Sequence, residues 1–123
     1  MARSVRIVGA PTDYGADRRG VDMGPSAIRY AGLRAQVESA GVDCADWGNL
    51  EVPIVERAAG TGQDDQVRFL DENRTVCTRL ADVVAEIIDN GEFPLVLGGD
   101  HSMSIGTIGG SSRGADLGVL WFD

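Results

Sequence analysis

The chain has 123 residues and a formal net charge of −8, with 43% apolar and 24% charged residues. That size allows at most one domain, and the acidic balance excludes the basic footprint that nucleic-acid binding needs. No apolar run approaches the roughly 20 residues of a membrane span, and the amino terminus lacks a signal-peptide stretch, so a soluble cytoplasmic protein is expected. In chain order, Ser4 to Pro11 predicts a first strand ended by Gly9 and Pro11. Thr12 to Gly24 is a charged loop punctuated by glycine, after which Pro25 takes the favoured first helical position. Ile28, Ala31, Leu33, Ala35, Val37 and Ala40 give that helix an apolar face, and Gly41 closes it. Val42 to Trp47 predicts a second strand, and Leu50 to Asp65, without a period, a loop.

The clearest helix follows. Val67, Leu70, Val76, Cys77, Leu80, Val83, Val84, Ile87 and Ile88 repeat at the 3.6-residue period. Arg68, Asp71, Glu72, Arg74, Arg79, Asp82 and Glu86 form the solvated opposite face, and Asn90-Gly91 stops the helix. Pro94-Leu95-Val96-Leu97 is a short continuous apolar run, the pattern of a strand covered on both faces of a parallel sheet. From Ser102 to about Ser112 a helix is expected despite Gly106, Gly109 and Gly110, each costing roughly 1 kcal/mol against alanine. Close packing of this helix on the sheet would explain those glycines. Leu117 to Phe122 predicts a fourth buried strand delivering Asp123. The alternation of strands and helices predicts an α/β fold, a three-layer, doubly wound parallel sheet.

Two compositional features bear on setting. Cys44 and Cys77 fall inside a predicted strand and helix, and read as reduced core residues rather than a disulfide. All eleven basic residues are arginine, and aspartate outnumbers glutamate thirteen to six. A GC-rich genome with a solvated acidic surface explains this bias, and so does adaptation to high salt, where salt screens self-repulsion.

The chemistry concentrates in Gly98-Gly99-Asp100-His101-Ser102, which holds the only histidine. Only about fifteen residues separate His101 from Leu117, room for one crossover helix. The simplest connection sets the two strands side by side, with His101 and Asp123 at their carboxyl ends. Open α/β sheets bind ligands at that edge, and an imidazole beside a carboxylate there could share a metal ion. A structural, hydrogen-bonded histidine is the competing reading. A phosphate cradle is disfavoured because Asp100 repels anions and neither P-loop nor Gly-x-Gly-x-x-Gly spacing occurs at the turn.

Two stretches carry a resemblance. One is Ile7-Val8-Gly9-Ala10-Pro11, then Gly15, then Arg18-Arg19-Gly20-Val21-Asp22-Met23-Gly24-Pro25-Ser26-Ala27-Ile28-Arg29-Tyr30-Ala31-Gly32. The other is Leu97-Gly98-Gly99-Asp100-His101-Ser102 with Ile105-Gly106-Thr107, then Gly118-Val119-Leu120-Trp121-Phe122-Asp123. Together they span nearly the whole chain, which resembles the arginase and agmatinase family of manganese ureohydrolases, its bacterial arginases most. The resemblance implies an arginase-like sheet, of which residues 1–123 are the amino-terminal part, ending on a buried strand.

It also implies a site with two Mn²⁺ ions. His101 would bind one ion, and Asp123, first residue of the family's Asp-Ala-His-x-Asp motif, would bridge both. Asp100 with Gly98 and Gly99 would support the turn, and Arg18 would partner the loops around the site. The family's remaining ligands, proton-shuttle histidine and substrate-gripping residues lie further on, so no catalytic or substrate-binding residue is assigned within this chain. Two cations roughly 3.5–4 Å apart hold a hydroxide at neutral pH, which would attack the guanidinium carbon of L-arginine to give L-ornithine and urea. Homo-oligomerisation as a trimer or hexamer is expected by the same likeness. With only two expected ligands, the 123 residues alone are expected to be inactive. The alternatives are another ureohydrolase acting on agmatine, guanidinobutyrate or formiminoglutamate, and a non-catalytic truncated relative acting as a binding or interaction protein.

Overall fold

The fold is organised on β1 (Val5–Ala10), the central strand of a three-stranded parallel sheet in the order β2-β1-β3, with β2 at Cys44–Asn49 and β3 at Phe93–Gly98. A computed structural model describes residues 4–58 and 68–122. Against β3 the register is unbroken, from Val5 opposite Phe93 to Ala10 opposite Gly98. Against β2 it runs from Val5 opposite Cys44 to Gly9 opposite Asn49, with an irregularity between Ile7 and Gly9. All three strands therefore end at one edge, and the loops that follow them gather there.

Alternation along β1 sends side chains into two cores. Val8 and Ala10 pack with Leu80, Val84 and Ile87 of α3 (Leu70–Asp89), with Val96 and Met103 at the margin. Ile7 packs on the other face with Cys44 and Leu97, against Leu33 and Val37 of α2 (Leu33–Ser39). Helices thus cover both faces, giving the expected three layers. Ile7, Val8, Leu80, Val84 and Ile87 are essentially inaccessible to water, and burial of each contributes about 1.5–3 kcal/mol. Cys44 and Cys77 are buried and unbridged.

Four sequence expectations need correction. The helix expected from Pro25 to Ala40 is two helices, α1 (Gly24–Tyr30) and α2, because Gly32 adopts φ 89° and turns the chain between them. β2 lies two residues later than expected, since Val42 and Asp43 serve the connection, where the Asp43 carbonyl accepts from the Val5 N–H. In α3, Leu70 is exposed despite its apolar character, while Ala81 and Ala85 are buried; Val67 lies outside the described residues.

The fourth correction concerns the carboxyl-terminal stretch. α4 (Ser104–Ser111) forms, but its glycines meet a helix rather than the sheet. A methyl at Gly106 would lie 2.7 Å from the Cys77 carbonyl oxygen, and one at Gly110 2.4 Å from that of Ala81, both on α3. Leu117–Phe122 makes no strand, and Leu120 and Phe122 are 86% and 89% exposed. β3 therefore has no such neighbour at its side. A strand apolar on both faces is stabilised by two covering layers and a ladder partner, and the described residues set neither against this run.

Candidate functional site

The loops at the carboxyl edge are built around Asp100. It opens a short 3-10 turn over His101–Met103, and its Oδ1 accepts the Ser102 N–H at 2.8 Å. Its Oδ2 accepts the Gly15 N–H at 3.1 Å, and its own N–H donates to the Thr12 carbonyl at 3.1 Å. The loop after β1 and the turn after β3 are thereby one hydrogen-bonded unit. Gly99 makes the approach possible, for a Cβ there would stand 1.7 Å from the Thr12 oxygen. Gly98 lies under the Met103 side chain, and its carbonyl abuts Gly24 at the start of α1.

Burial by itself would push the Asp100 carboxyl up. Donors from Ser102 and Gly15 outweigh it and hold the group below the usual carboxylate range. The Ser102 hydroxyl is within reach of Asp100 but its aligned acceptor is Asn73 Oδ1, at 3.2 Å. The buried Thr12 hydroxyl, by contrast, has no hydrogen-bond partner among the described residues. Both of Asp100's oxygens thus accept backbone N–H groups, which fastens the turn to the loop after β1.

His101 is exposed beside it, and its ring lies on Trp121 with centroids 5.2 Å apart and planes inclined by 34°. Trp121 belongs to the apolar run before Asp123, so the structure does bring that run to the histidine, though as irregular chain. Asp123 itself is outside the described residues. A cleft of about 300 Å³ flanks the turn, lined in part by Val96, Gly99, Asp100, His101 and Met103.

Arg18 is exposed and makes no ion pair among the described residues. The arginine that ties the loop is its neighbour Arg19. Its Nε donates to Asp13 Oδ2 at 2.6 Å, and its guanidinium also pairs with Glu56 in the loop after β2. The Asp13 side chain is 4% exposed, which makes its pairing matter. Tyr14 adds a second tie, donating from its hydroxyl to the Pro53 carbonyl. Loops have no periodicity, so nothing in the sequence distinguishes one of two adjacent arginines. Also unforeseen were Asn73 and Cys77 of α3, whose polar atoms reach the Ser102 segment.

Among the described residues no group of three or more histidine, cysteine or carboxylate side chains is placed to hold a metal ion. What is present fits one arm of such a site. His101 is an exposed imidazole at the carboxyl edge of the sheet, a donor suited to first-row divalent cations, on a turn anchored from both loops. None of the described helices is long and apolar enough to cross a membrane.

Comparison with known proteins converges on one lineage. The arginase family model matches residues 3–123. An arginase from Brevibacillus brevis is 47% identical over the whole chain, and one from Bacillus caldovelox is 43% identical over 98% of it. The chain spans 41% and 40% of those relatives' lengths. The crystal structure of arginase from Bacillus cereus superimposes with a TM-score of 0.86 at 44% identity, covering 98% of this chain and 39% of that one. The parallel sheet, the helices on its two faces and the match along the sequence agree, and the chain belongs to the arginase family.

Proposed function

We propose that the chain is the amino-terminal part of a manganese-dependent arginase that hydrolyses the guanidinium group of L-arginine to L-ornithine and urea. The observation that carries this reading is the Gly98-to-Ser102 turn, which presents His101 at the carboxyl edge of the sheet with Asp100 locked beneath it. The identity to bacterial arginases, spread over 98–100% of the chain, supports the choice of substrate. His101 and Asp123 are the residues of this chain that would hold manganese. Two bound Mn²⁺ ions supply Lewis acidity and bring the pKa of water toward neutrality.

The work of the described residues is to orient. Asp100 accepts two backbone N–H groups and fixes the direction in which the next residue leaves the sheet. Gly99 lets that turn lie against Thr12, and the Arg19 ties keep the opposing loop in place. Arg18, exposed on the same loop, remains a partner for neighbouring chain at the site. Two ligands are too few for a metal pair, so the 123 residues by themselves are inactive on this reading. The working enzyme is a cytoplasmic homo-oligomer.

Urea release by the complete protein expressed from its gene tests the proposal. With Mn²⁺ present, L-arginine is expected to be turned over at least a hundredfold faster than agmatine, guanidinobutyrate or formiminoglutamate. His101→Ala is expected to lower both Mn²⁺ content and rate. Preference for one of the other guanidino compounds would move the protein elsewhere among the ureohydrolases. No hydrolysis of any of them, with the fold intact, would leave a binding protein.

A further inference from the structure

A hydrogen-bonded triangle joins α3 to the back of the His101 turn. The Cys77 Sγ lies 3.3 Å from the Ser102 carbonyl oxygen and 3.4 Å from Asn73 Oδ1. The Ser102 hydroxyl donates to the same Asn73 oxygen at 3.2 Å. A thiol has one proton and is a weak donor, here shared between two acceptors. Burial pushes the Cys77 thiol pKa up, which keeps that proton in place at neutral pH. Asn73 and Cys77 are one helical turn apart, so both face the turn.

The two holds on the turn are distinct. Thr12 and Gly15 grip Asp100, the residue before His101. Asn73 and Cys77 grip Ser102, the residue after it. The backbone of His101 is thus anchored on both sides while the residue itself is exposed. Helix stability does not require this arrangement. Asparagine and cysteine are among the poorer helix formers, and alanine at either position would favour α3 slightly.

We propose that Asn73 and Cys77 are positioning residues for His101, holding the Ser102 segment so that the imidazole keeps the orientation a divalent cation at this edge requires. The proposal rests on the reading of His101 as a manganese ligand. Both act through Ser102, which they hold directly. Outer partners of this kind set the directions of metal ligands, and their loss weakens metal binding by about 10- to 100-fold.

The test uses the complete protein with Mn²⁺ as probe, measuring its dissociation constant by equilibrium dialysis and the melting temperature without metal. Asn73→Ala is expected to weaken Mn²⁺ binding about tenfold, while the metal-free melting temperature stays within about 3 °C. Asn73→Asp, which keeps an acceptor at the same place, restores most of the affinity. Cys77→Ala weakens binding less, about threefold, in keeping with a weak donor. Ser102→Ala combined with Asn73→Ala loses little beyond the single change, because the two side chains act through one bond. A lowered melting temperature with unchanged Mn²⁺ affinity would show a structural role and overturn the proposal. His101→Ala, run in parallel, separates the two readings. If it weakens Mn²⁺ binding and Asn73→Ala does not, positioning alone fails. If it too leaves binding unchanged, the ligand reading falls and the proposal with it.

Discussion

Gly15 and Asp100 are 85 positions apart, and the Gly15 N–H donates to Asp100 Oδ2 at 3.1 Å. The contact leaves no room for a side chain. A Cβ at position 15 would lie 2.9 Å from Asp100 Oδ1 and 3.3 Å from Ser102 Cβ. Gly15→Ala is therefore expected to displace the carboxylate and destabilise the protein by about 1 kcal/mol, the low end of overpacking because the site is near the surface. Denaturation with urea reads this directly. A midpoint equal to wild type would mean the Asp100 side chain moves aside at no cost.

Asp100 should also leave a mark on pH dependence. Burial raises its pKa and the donors around it lower it further than that, so the native value falls below the ordinary 3.8. A depressed folded-state pKa stabilises the native protein above the unfolded value, and that stabilisation is lost as pH falls through the folded value. Wild type should hold a constant margin over Asp100→Asn from pH 7 to pH 5, and the margin should shrink below about pH 4. Melting curves of the two proteins from pH 7 to pH 3 supply the comparison. A margin that does not change with pH would remove the carboxylate's charge from the explanation.

The parts of this fold legible in the sequence are those with a period or a sharp stop. α3 announced itself through Val76, Leu80, Val84 and Ile87, and its end through Asn90-Gly91. β1 and β3 were visible as apolar runs closed by glycine. What could not be seen depended on approach between distant backbones. Gly32 reads as one more small residue inside a helical pattern until its φ of 89° splits the helix. The glycines of α4 signalled close packing, but composition does not say against what, and the partner is a helix. Leu117–Phe122 carries the pattern of a buried strand, and pattern alone cannot supply the ladder. At the candidate site the Gly-Gly-Asp-His text located the turn, whereas Arg19, Asn73 and Cys77 entered only through contacts no spacing encodes.

The α3–α4 contact yields a contrast within one helix. Gly106 and Gly110 face α3, where a methyl would meet Leu80 Cβ and Val84 Cβ at 2.9 Å as well as backbone oxygens. Gly109 lies at the rim of the contact, where a methyl would find only Ala81 Cβ of α3 at 4.0 Å. Gly→Ala in a helix is worth about 0.5–1 kcal/mol where nothing obstructs it. Gly109→Ala should therefore stabilise by about that amount. Gly106→Ala and Gly110→Ala should destabilise by about 1–3 kcal/mol, since helix backbone cannot give way as a side chain can. The thermal midpoints of the three variants decide it through their signs. Three stabilising substitutions would mean that α4 does not sit against α3.

Arg29 gives a parallel contrast among ion pairs. From α1 its Nε donates to Asp46 Oδ2 at 2.7 Å and its Nη2 to Asp46 Oδ1 at 2.9 Å, and it also reaches the Gly48 carbonyl and Asn49. The two side chains are 21% and 23% exposed, and the guanidinium holds the Asp46 carboxyl below its usual range. The Arg34–Glu38 pair, one helical turn long, is 60% and 45% exposed. A forked, half-buried bond to one carboxylate of β2 resists salt, whereas an exposed pair is screened. Arg29→Lys keeps the charge but loses the fork and should cost about 1–2 kcal/mol. Arg29→Ala should cost more, because Asp46 is then left without its partner. Arg34→Ala should leave the melting temperature close to that of wild type, as exposed pairs contribute little. Raising KCl from 0.1 M to about 1 M should erase the Arg34 effect and preserve most of that at Arg29, as Debye lengths of about 10 Å and 3 Å imply. Equal salt sensitivity at the two sites would show that the Arg29 fork is as open to solvent as the surface pair.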